Sequence, residues 1–582
     1  MATPEPAGAS ADAKNWLAPL IKPLRPAFRE VLWVSLFVNI LALGLPIFVL
    51  QVYDRVVFYQ GFSTLYGLTA GILIVLLFDF ILRQARSRIL QRAAMLIDVK
   101  LGERLYDKIG ALPLRSLETR PTSFWLALYR DSDIVRNVFS GPTAVLATEL
   151  PFVGLFLVLI FVIAAPVAWV LAVVAPLFML LAWGSGKVMD RATLRERESG
   201  QGREALVAEL LAGRTTVKAL ALAPAVRPRW EDKHAAAIQH ALERGRKGDS
   251  FTNLGTSAAF LTTVAMTTVG AIAIVGQELT IGSLIAANML SNRVLQPLNQ
   301  LVNTWRQVAQ YRQAKQRLGT VFALPEDDRA APVELGRPKG ELALEDVTFA
   351  YQPGARPVVD GVRMTIRPGG MVGVIGPNGC GKTTLVKLMH GLYPPAAGRI
   401  LLDGADIAQF SRAQIARWIG YVPQDAILFS GSIRDNIAMA APGVDDAALV
   451  RAAKLAGVHA FVVDLPEGYA TDIGEAGMRM SGGERQRIAV ARALVHDPPV
   501  LLLDEVASNL DRQAELALRD SLVKLAPERT IVVVCHTPVL LSACSHIVVM
   551  DKGKIALAGP SREVMPKLFG QPRPEAVQEA KA

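Results

Sequence analysis

The chain has 582 residues, 51% hydrophobic and only 20% charged. That balance excludes a disordered protein and is too apolar for an ordinary soluble enzyme of this length, so part of the chain is expected in lipid. The formal charge of +10 is expected from basic loops beside membrane spans rather than from a nucleic-acid surface. Three cysteines, Cys380, Cys535 and Cys544, exclude a disulfide framework, fit no zinc spacing and place their regions in a reducing compartment.

Residues 1–30 have no basic start and no cleavage pattern, and they read as an N-terminal cytoplasmic segment rather than a signal peptide. Two apolar runs follow, Val31–Leu50 and Leu65–Leu82, each long enough as a helix to cross roughly 30 Å. Ala144–Trp183 is too long for one span, and Pro166 divides it into two helices joined by a tight turn. Leu254–Val275, rich in threonine, and Ile281–Val302, rich in amides, complete six expected spans. In the sixth, Asn288, Asn292, Gln296, Asn299 and Asn303 recur at three- and four-residue steps. Polar groups facing lipid are costly, so this stripe is expected against a translocation path or against another helix, and both readings stay open.

Charge sets the orientation. Eleven Lys/Arg lie between spans two and three and thirteen between spans four and five, whereas the opposite connections carry Arg55 alone or none. Both chain ends are therefore expected in the cytoplasm. The two long inner connections have helical periodicity and read as arms of roughly 45 Å that prolong the spans. They are expected to end in short cross-helices near Pro121–Arg130 and Gly213–Leu222. The organisation expected is an all-α membrane domain over 31–324, a polar Pro-rich linker over 325–339, an α/β P-loop domain over 340–570 and a tail over 571–582. The α/β reading rests on short β-branched runs (MVGVIG, VLLLDE, TIVVVCH) alternating with helical stretches.

GPNGCGKTT, Gly376–Thr384, fits the phosphate-cradling loop pattern between an apolar strand and a helix. Gly376, Gly379 and Gly381 let backbone amides approach phosphates, with Asn378 at the loop tip. Lys382 is placed for the β/γ-phosphates, with the hydroxyls of Thr383 and Thr384 following and that of Thr383 placed for Mg2+. Val500–Glu505 (VLLLDE) reads as a buried strand ending in two carboxylates, Asp504 for Mg2+ and Glu505 to polarise a water. MSGGERQR, Met480–Arg487, opens a basic helix with a glycine pair, a second anion-binding helix start that makes sense if two copies meet head to tail.

Together GPNGCGKTT, MSGGERQR, VLLLDE and His536 resemble the ATP-binding cassette, and with six preceding spans the chain resembles a half-transporter exporter of that superfamily. The resemblance implies ATP and Mg2+ as cofactors, a homodimer in the lipid bilayer, and no nucleic-acid partner. It implies that Tyr351 stacks on adenine, that Gln424 contacts Mg2+, and that His536 contacts the γ-phosphate. Ser481, Gly482, Gly483 and Glu484 would reach the ATP of the partner chain, and Ser508–Asp511 would cross the dimer. Met480 and Glu484 stand where the family usually has Leu and Gln, and Glu484 adds negative charge beside a phosphate site. LPIFVLQVYDRVV, Leu45–Val57, resembles type I secretion exporters of the bacterial inner membrane. That implies export of a polypeptide, with a periplasmic adaptor and outer-membrane channel as further partners; export of a lipid, drug or small peptide is the alternative.

Overall fold

The structure, a computed structural model, describes residues 15–57, 59–327, 336–508 and 510–569. The expected tail over 571–582, Asn509 and much of the linker lie outside the described residues. Two compact units result, Met1–Leu112 with Glu118–Pro325, and Pro113–Leu117 with Glu326–Ala582.

In the first unit the opening apolar run forms helices Arg25–Leu41 and Gly44–Gln51 and a π-helical turn Val52–Val57. Helices Phe62–Ala111 (50 residues), Ala165–Ala212 (48 residues), Ala223–Val275 (53 residues) and Ile281–Phe322 (42 residues) follow. The third span is assembled from Thr122–Ser140, Pro142–Glu149 and Val153–Ile163. At 1.5 Å per residue a 50-residue helix runs about 75 Å, more than twice a bilayer core, so these helices continue well beyond their apolar segments. Among the described residues five helical stretches are long and apolar enough to cross a membrane; the sixth expected span, in Ile281–Phe322, carries the amides that lower its hydropathy. The chain breaks at Ala164, with φ −149° and ψ 68°, and Pro166 falls in the first turn of the next helix, where a missing N–H is tolerated. Phe156, Ile160, Leu171, Met266, Leu290 and Val294 are almost fully buried at the centre of this bundle.

Two details of this unit were not legible beforehand. The Asp54 carboxylate, on the π-helical turn, accepts hydrogen bonds from the Thr280 hydroxyl at 2.7 Å and the Gly282 amide at 3.0 Å. It thereby caps the helix Ile281–Phe322, where a carboxylate is favoured by the exposed amides. Second, no short cross-helix forms over the expected Pro121–Arg130; the short helix before it, Leu114–Glu118, lies mostly in the second unit. Pro121 instead precedes the long helix Thr122–Ser140 in an extended conformation (ψ 154°), because proline's fixed φ suits a helix start. The second short helix, Arg214–Ala219, falls within the expected Gly213–Leu222.

In the second unit, β1 (Leu342–Phe349), β2 (Val359–Ile366), β4 (Ala397–Leu402) and β5 (Ala405–Asp406) form an antiparallel sheet of order β2-β1-β4-β5. The main sheet contains β3 (Gly370–Ile375), β6 (Ile419–Val422), β7 (Val500–Asp504), β8 (Thr530–Val534), β9 (His546–Asp551) and β10 (Lys554–Pro560), in the order β10-β9-β3-β8-β7-β6. β9, β3, β8, β7 and β6 run parallel. Strands covered on both faces need unbroken apolar runs, and every residue of β7 and β8 is buried. Leu501, Leu502 and Leu503 are fully buried and contribute roughly 2 kcal/mol each. The short segment Pro113–Leu117 belongs to this unit: Leu114 packs against its core, and the Arg115 guanidinium donates to the Tyr351 carbonyl at 2.7 Å.

Candidate functional site

In a parallel sheet the loops at the carboxyl ends of the strands converge. Register places Val374 of β3 and Asp504 of β7 level with Val534 of β8, and Val422 of β6 beside Leu503. The phosphate loop, both carboxylates, Gln424 and His536 therefore leave the sheet along one edge.

The loop's conformation demands its glycines. Gly379 and Gly381 have φ of +80° and +105°, a region that costs residues with a Cβ. A Cβ on Gly376 would collide with the Met550 carbonyl, and one on Gly381 would lie 2.5 Å from the Val358 carbonyl. Asn378 and Gly379 are exposed at the tip. Lys382, 5% exposed, donates its ammonium to the carbonyls of Gly376 at 3.0 Å and Pro377 at 3.2 Å, so the charge is held inside the loop. Gly381 is the N-cap of the helix Lys382–Met389, whose first amides face the loop. Tyr351 is half-exposed and accepts or donates a 2.9 Å hydrogen bond with the Thr384 hydroxyl. Its ring stands nearly perpendicular to those of Phe349 and Tyr393.

Asp504 is fully buried, and among the described residues only the Thr383 hydroxyl approaches its carboxylate as a hydrogen-bond partner, with poor geometry. Burial pushes its carboxyl above the usual carboxylate range, and the Glu505 carboxylate adds to the rise, while the Thr383 hydroxyl and the Lys382 ammonium oppose it. A buried carboxylate so poorly satisfied is costly unless a cation meets it, and this fits a Mg2+ held jointly with Thr383 and phosphate oxygens. No cluster of three metal-ligating His, Cys, Asp or Glu occurs among the described residues, as suits a cation that takes its remaining ligands from phosphate and water.

Glu505 has φ +51°, a strained conformation that turns its side chain out of the strand direction. One carboxylate oxygen accepts from Gln424 Nε2 at 2.9 Å and the other lies 3.5 Å from His536 Nε2. The strain thus holds the proposed base between two polar side chains from different strand ends. Cys380 and Cys535, which adjoin this site, are buried; burial and the neighbouring Cys544 push the Cys535 thiol up, so it behaves as an inert core group.

The remaining residues lie apart. Ser481 is the N-cap of the helix Gly482–Leu494 and Asp511 that of Arg512–Leu525. Among the described residues Ser481–Glu484 make no hydrogen bond to the phosphate loop, Glu505 or His536, so within one chain the signature does not complete the site. The amide stripe divides. Asn288 donates to the Thr267 hydroxyl at 3.4 Å and the Asn299 side-chain oxygen lies beside Gly255, whereas Asn292 and Gln296 are exposed. The side chain of Asn303 is outside the described residues. Sequence reasoning missed Arg115 at Tyr351, the Asp54 cap and His390, whose burial beside Arg412 lowers its pKa to about 4.

Fold and site together define a P-loop ATPase carried on a bundle of membrane-length helices. Residues 30–298 match the ABC transporter transmembrane region, and residues 359–508 match the ABC transporter family. The toxin RTX-I translocation ATP-binding protein of Actinobacillus pleuropneumoniae is 34% identical over 95% of this chain and 78% of that protein. The leukotoxin translocation ATP-binding protein LktB of Mannheimia haemolytica is 33% identical over the same shares. A solved structure of a bacterial Atm1-family ABC exporter with ATP bound superposes with a TM-score of 0.83 at 23% identity, covering 94% of this chain and 97% of that one; the likeness shows the exporter fold. The chain belongs to the ABC transporter family. It is a multi-pass membrane protein whose cassette binds and hydrolyses ATP to drive transport.

Proposed function

We propose that two copies of this chain form an exporter in the bacterial inner membrane that moves a polypeptide outward by type I secretion, using an adaptor and an outer-membrane channel. The observation that carries the ATP-driven step is the placement of Glu505 between Gln424 and His536, beside the buried Asp504. Lys382 and the loop amides hold the β- and γ-phosphates, and Tyr351 takes the adenine ring. Thr383, Gln424 and Asp504 hold Mg2+, which when bound neutralises charge developing on the phosphates. Glu505 accepts a proton from the attacking water, and His536 donates a hydrogen bond to the γ-phosphate. Gly376, Asn378, Gly379, Gly381 and Thr384 shape the cradle. Ser481, Gly482, Gly483 and Glu484 of the second copy close it, a reading supported by their making no hydrogen bond to the loop of their own chain among the described residues.

The polypeptide cargo is supported by relatives named for toxin and leukotoxin translocation, and by exposed Asn292 and Gln296, uncharged groups able to meet a peptide backbone. The test is ATPase activity of the purified chain in proteoliposomes, challenged with unfolded polypeptide and, separately, with lipids and small hydrophobic drugs. Stimulation by polypeptide alone, abolished in Glu505→Gln although ATP still binds, is the expected outcome. Stimulation only by lipid or drug overturns the cargo assignment, and near-normal turnover in Glu505→Gln overturns the assignment of the base.

A further inference from the structure

We propose that Glu484 sets the ATP affinity of the paired cassettes: it holds a fixed negative charge at the helix start that must meet the γ-phosphate, so nucleotide is captured more weakly than the same fold would allow. The inference rests on the reading that Ser481–Glu484 of one copy face the ATP of the other.

Helix starts leave their first amides without intrahelical partners and attract anions. In the helix Gly482–Leu494 this place already has an anion. The Ser481 amide donates to the Glu484 carboxylate at 2.7 Å, and the Glu484 amide donates to the Ser481 hydroxyl at 3.3 Å, a reciprocal capping box. The carboxylate is thus folded back over the helix start rather than extended into solvent. Among the described residues Glu484 forms no ion pair. The adjacent Arg485 guanidinium is turned to the Met480 carbonyl at 2.7 Å, and Arg479 is paired with Asp472 at 2.7 Å. Arg487, one turn further along the helix, lies over the Phe461 ring at 5.0 Å, so among the described residues no ion pair offsets the carboxylate.

The chain contains the neutral version of the same device. At the helix Arg412–Trp418 the Ser411 amide donates to the Gln414 side-chain oxygen at 3.0 Å, and the Gln414 amide donates to the Ser411 hydroxyl at 3.3 Å. Gln caps a serine-led helix here with nearly the geometry of Glu484, so capping alone does not require a charge at position 484. What Glu adds over Gln is one negative charge beside a phosphate. Two like charges a few ångströms apart repel appreciably at protein surfaces, and salt screens the repulsion.

Glu484→Gln separates the charge from the cap. In the full-length chain in lipid nanodiscs, the variant is expected to keep the wild-type unfolding midpoint and to lower KM for ATP about tenfold at low ionic strength. The change should lie in KM rather than kcat. It should shrink to less than about threefold at 0.5 M salt, where the Debye length falls to roughly 4 Å; a purely structural effect would not shrink. An unchanged KM, or a gain indifferent to salt, overturns the proposal. Ser481→Arg in the same assay keeps the two readings apart. If it abolishes turnover while Glu484→Gln leaves KM unchanged, only the role of Glu484 falls. If Ser481→Arg hydrolyses ATP normally, the signature does not meet nucleotide, and both readings fall together.

Discussion

A single buried histidine shows how far one side chain's environment reaches. His390 ends the helix that begins with Lys382; its ring Nδ1 is buried without a hydrogen-bond partner, and the ring lies 5.5 Å from that of Tyr421. Burial, and then the Arg412 guanidinium, lower its pKa from the ordinary 6.5 to about 4. Between those values the unfolded chain binds the proton and the folded chain does not, so protonation favours unfolding. The contribution of the neutral ring is fully present above pH 6.5 and declines as the pH falls toward 4, by about 1.4 kcal/mol per unit at most. Pulse proteolysis of the cassette should therefore show wild-type stability falling faster than that of His390→Gln between pH 6.5 and 4, with parallel curves above pH 7. Parallel curves throughout would mean that the ring binds its proton in the fold as readily as in the unfolded chain. Nothing in the sequence singled out His390, because a lone histidine takes its pKa from burial and from neighbours such as Arg412 that only the fold supplies.

Elements were legible where a local pattern and its chemistry coincide. The phosphate loop could be placed from sequence because its glycines, lysine and threonine each answer a stereochemical need, and β7 because five consecutive buried positions require an apolar run. The helix Leu114–Glu118 was not legible. Five residues have too little intrinsic helical stability to declare themselves, and its formation goes with the packing of Leu114 and the hydrogen bond of Arg115. Glu505 could be singled out from the sequence as the second carboxylate of VLLLDE, but its φ of +51° belongs to the turn that leaves β7, which no spacing encodes. The loop offers a graded test of this element. Gly379 and Gly381 both have positive φ, yet a Cβ at Gly379 meets nothing within 4 Å, whereas one at Gly381 lies 2.5 Å from the Val358 carbonyl. Without nucleotide, Gly379→Ala should bear only the conformational cost, about 1 kcal/mol of cassette stability. Gly381→Ala should also displace the start of the helix Lys382–Met389 and cost clearly more. Equal losses of stability in pulse proteolysis without ATP would mean that conformational freedom alone, and not close backbone approach, dictates both glycines.

At the scale of the whole molecule the argument turns on what one chain lacks. Each chain has one phosphate loop and one signature helix, and Ser481 makes no hydrogen bond to its own chain's loop, Glu505 or His536 among the described residues. Association of two copies would supply both halves of each site, so hydrolysis should require a pair and respond to chain concentration as pairing does. Complementation tests this without any assumption about the shape of the dimer. Lys382→Ala removes the ammonium proposed to meet the phosphates, and Ser481→Arg places a long side chain at the cap of the signature helix. Each homodimer then has two defective sites. A heterodimer of the two variants has one site with both defects and one with neither, so mixing before reconstitution should restore turnover. With equal amounts and random pairing, half the dimers are mixed and each holds one of two sites intact, which predicts about a quarter of wild-type activity if the sites act independently. Interdependent sites would give less, down to the background of the parents, while nucleotide trapping at the intact site would still exceed that background. Neither turnover nor trapping above background, or full activity from a chain held monomeric, would mean that the signature acts elsewhere and that one chain completes its own site.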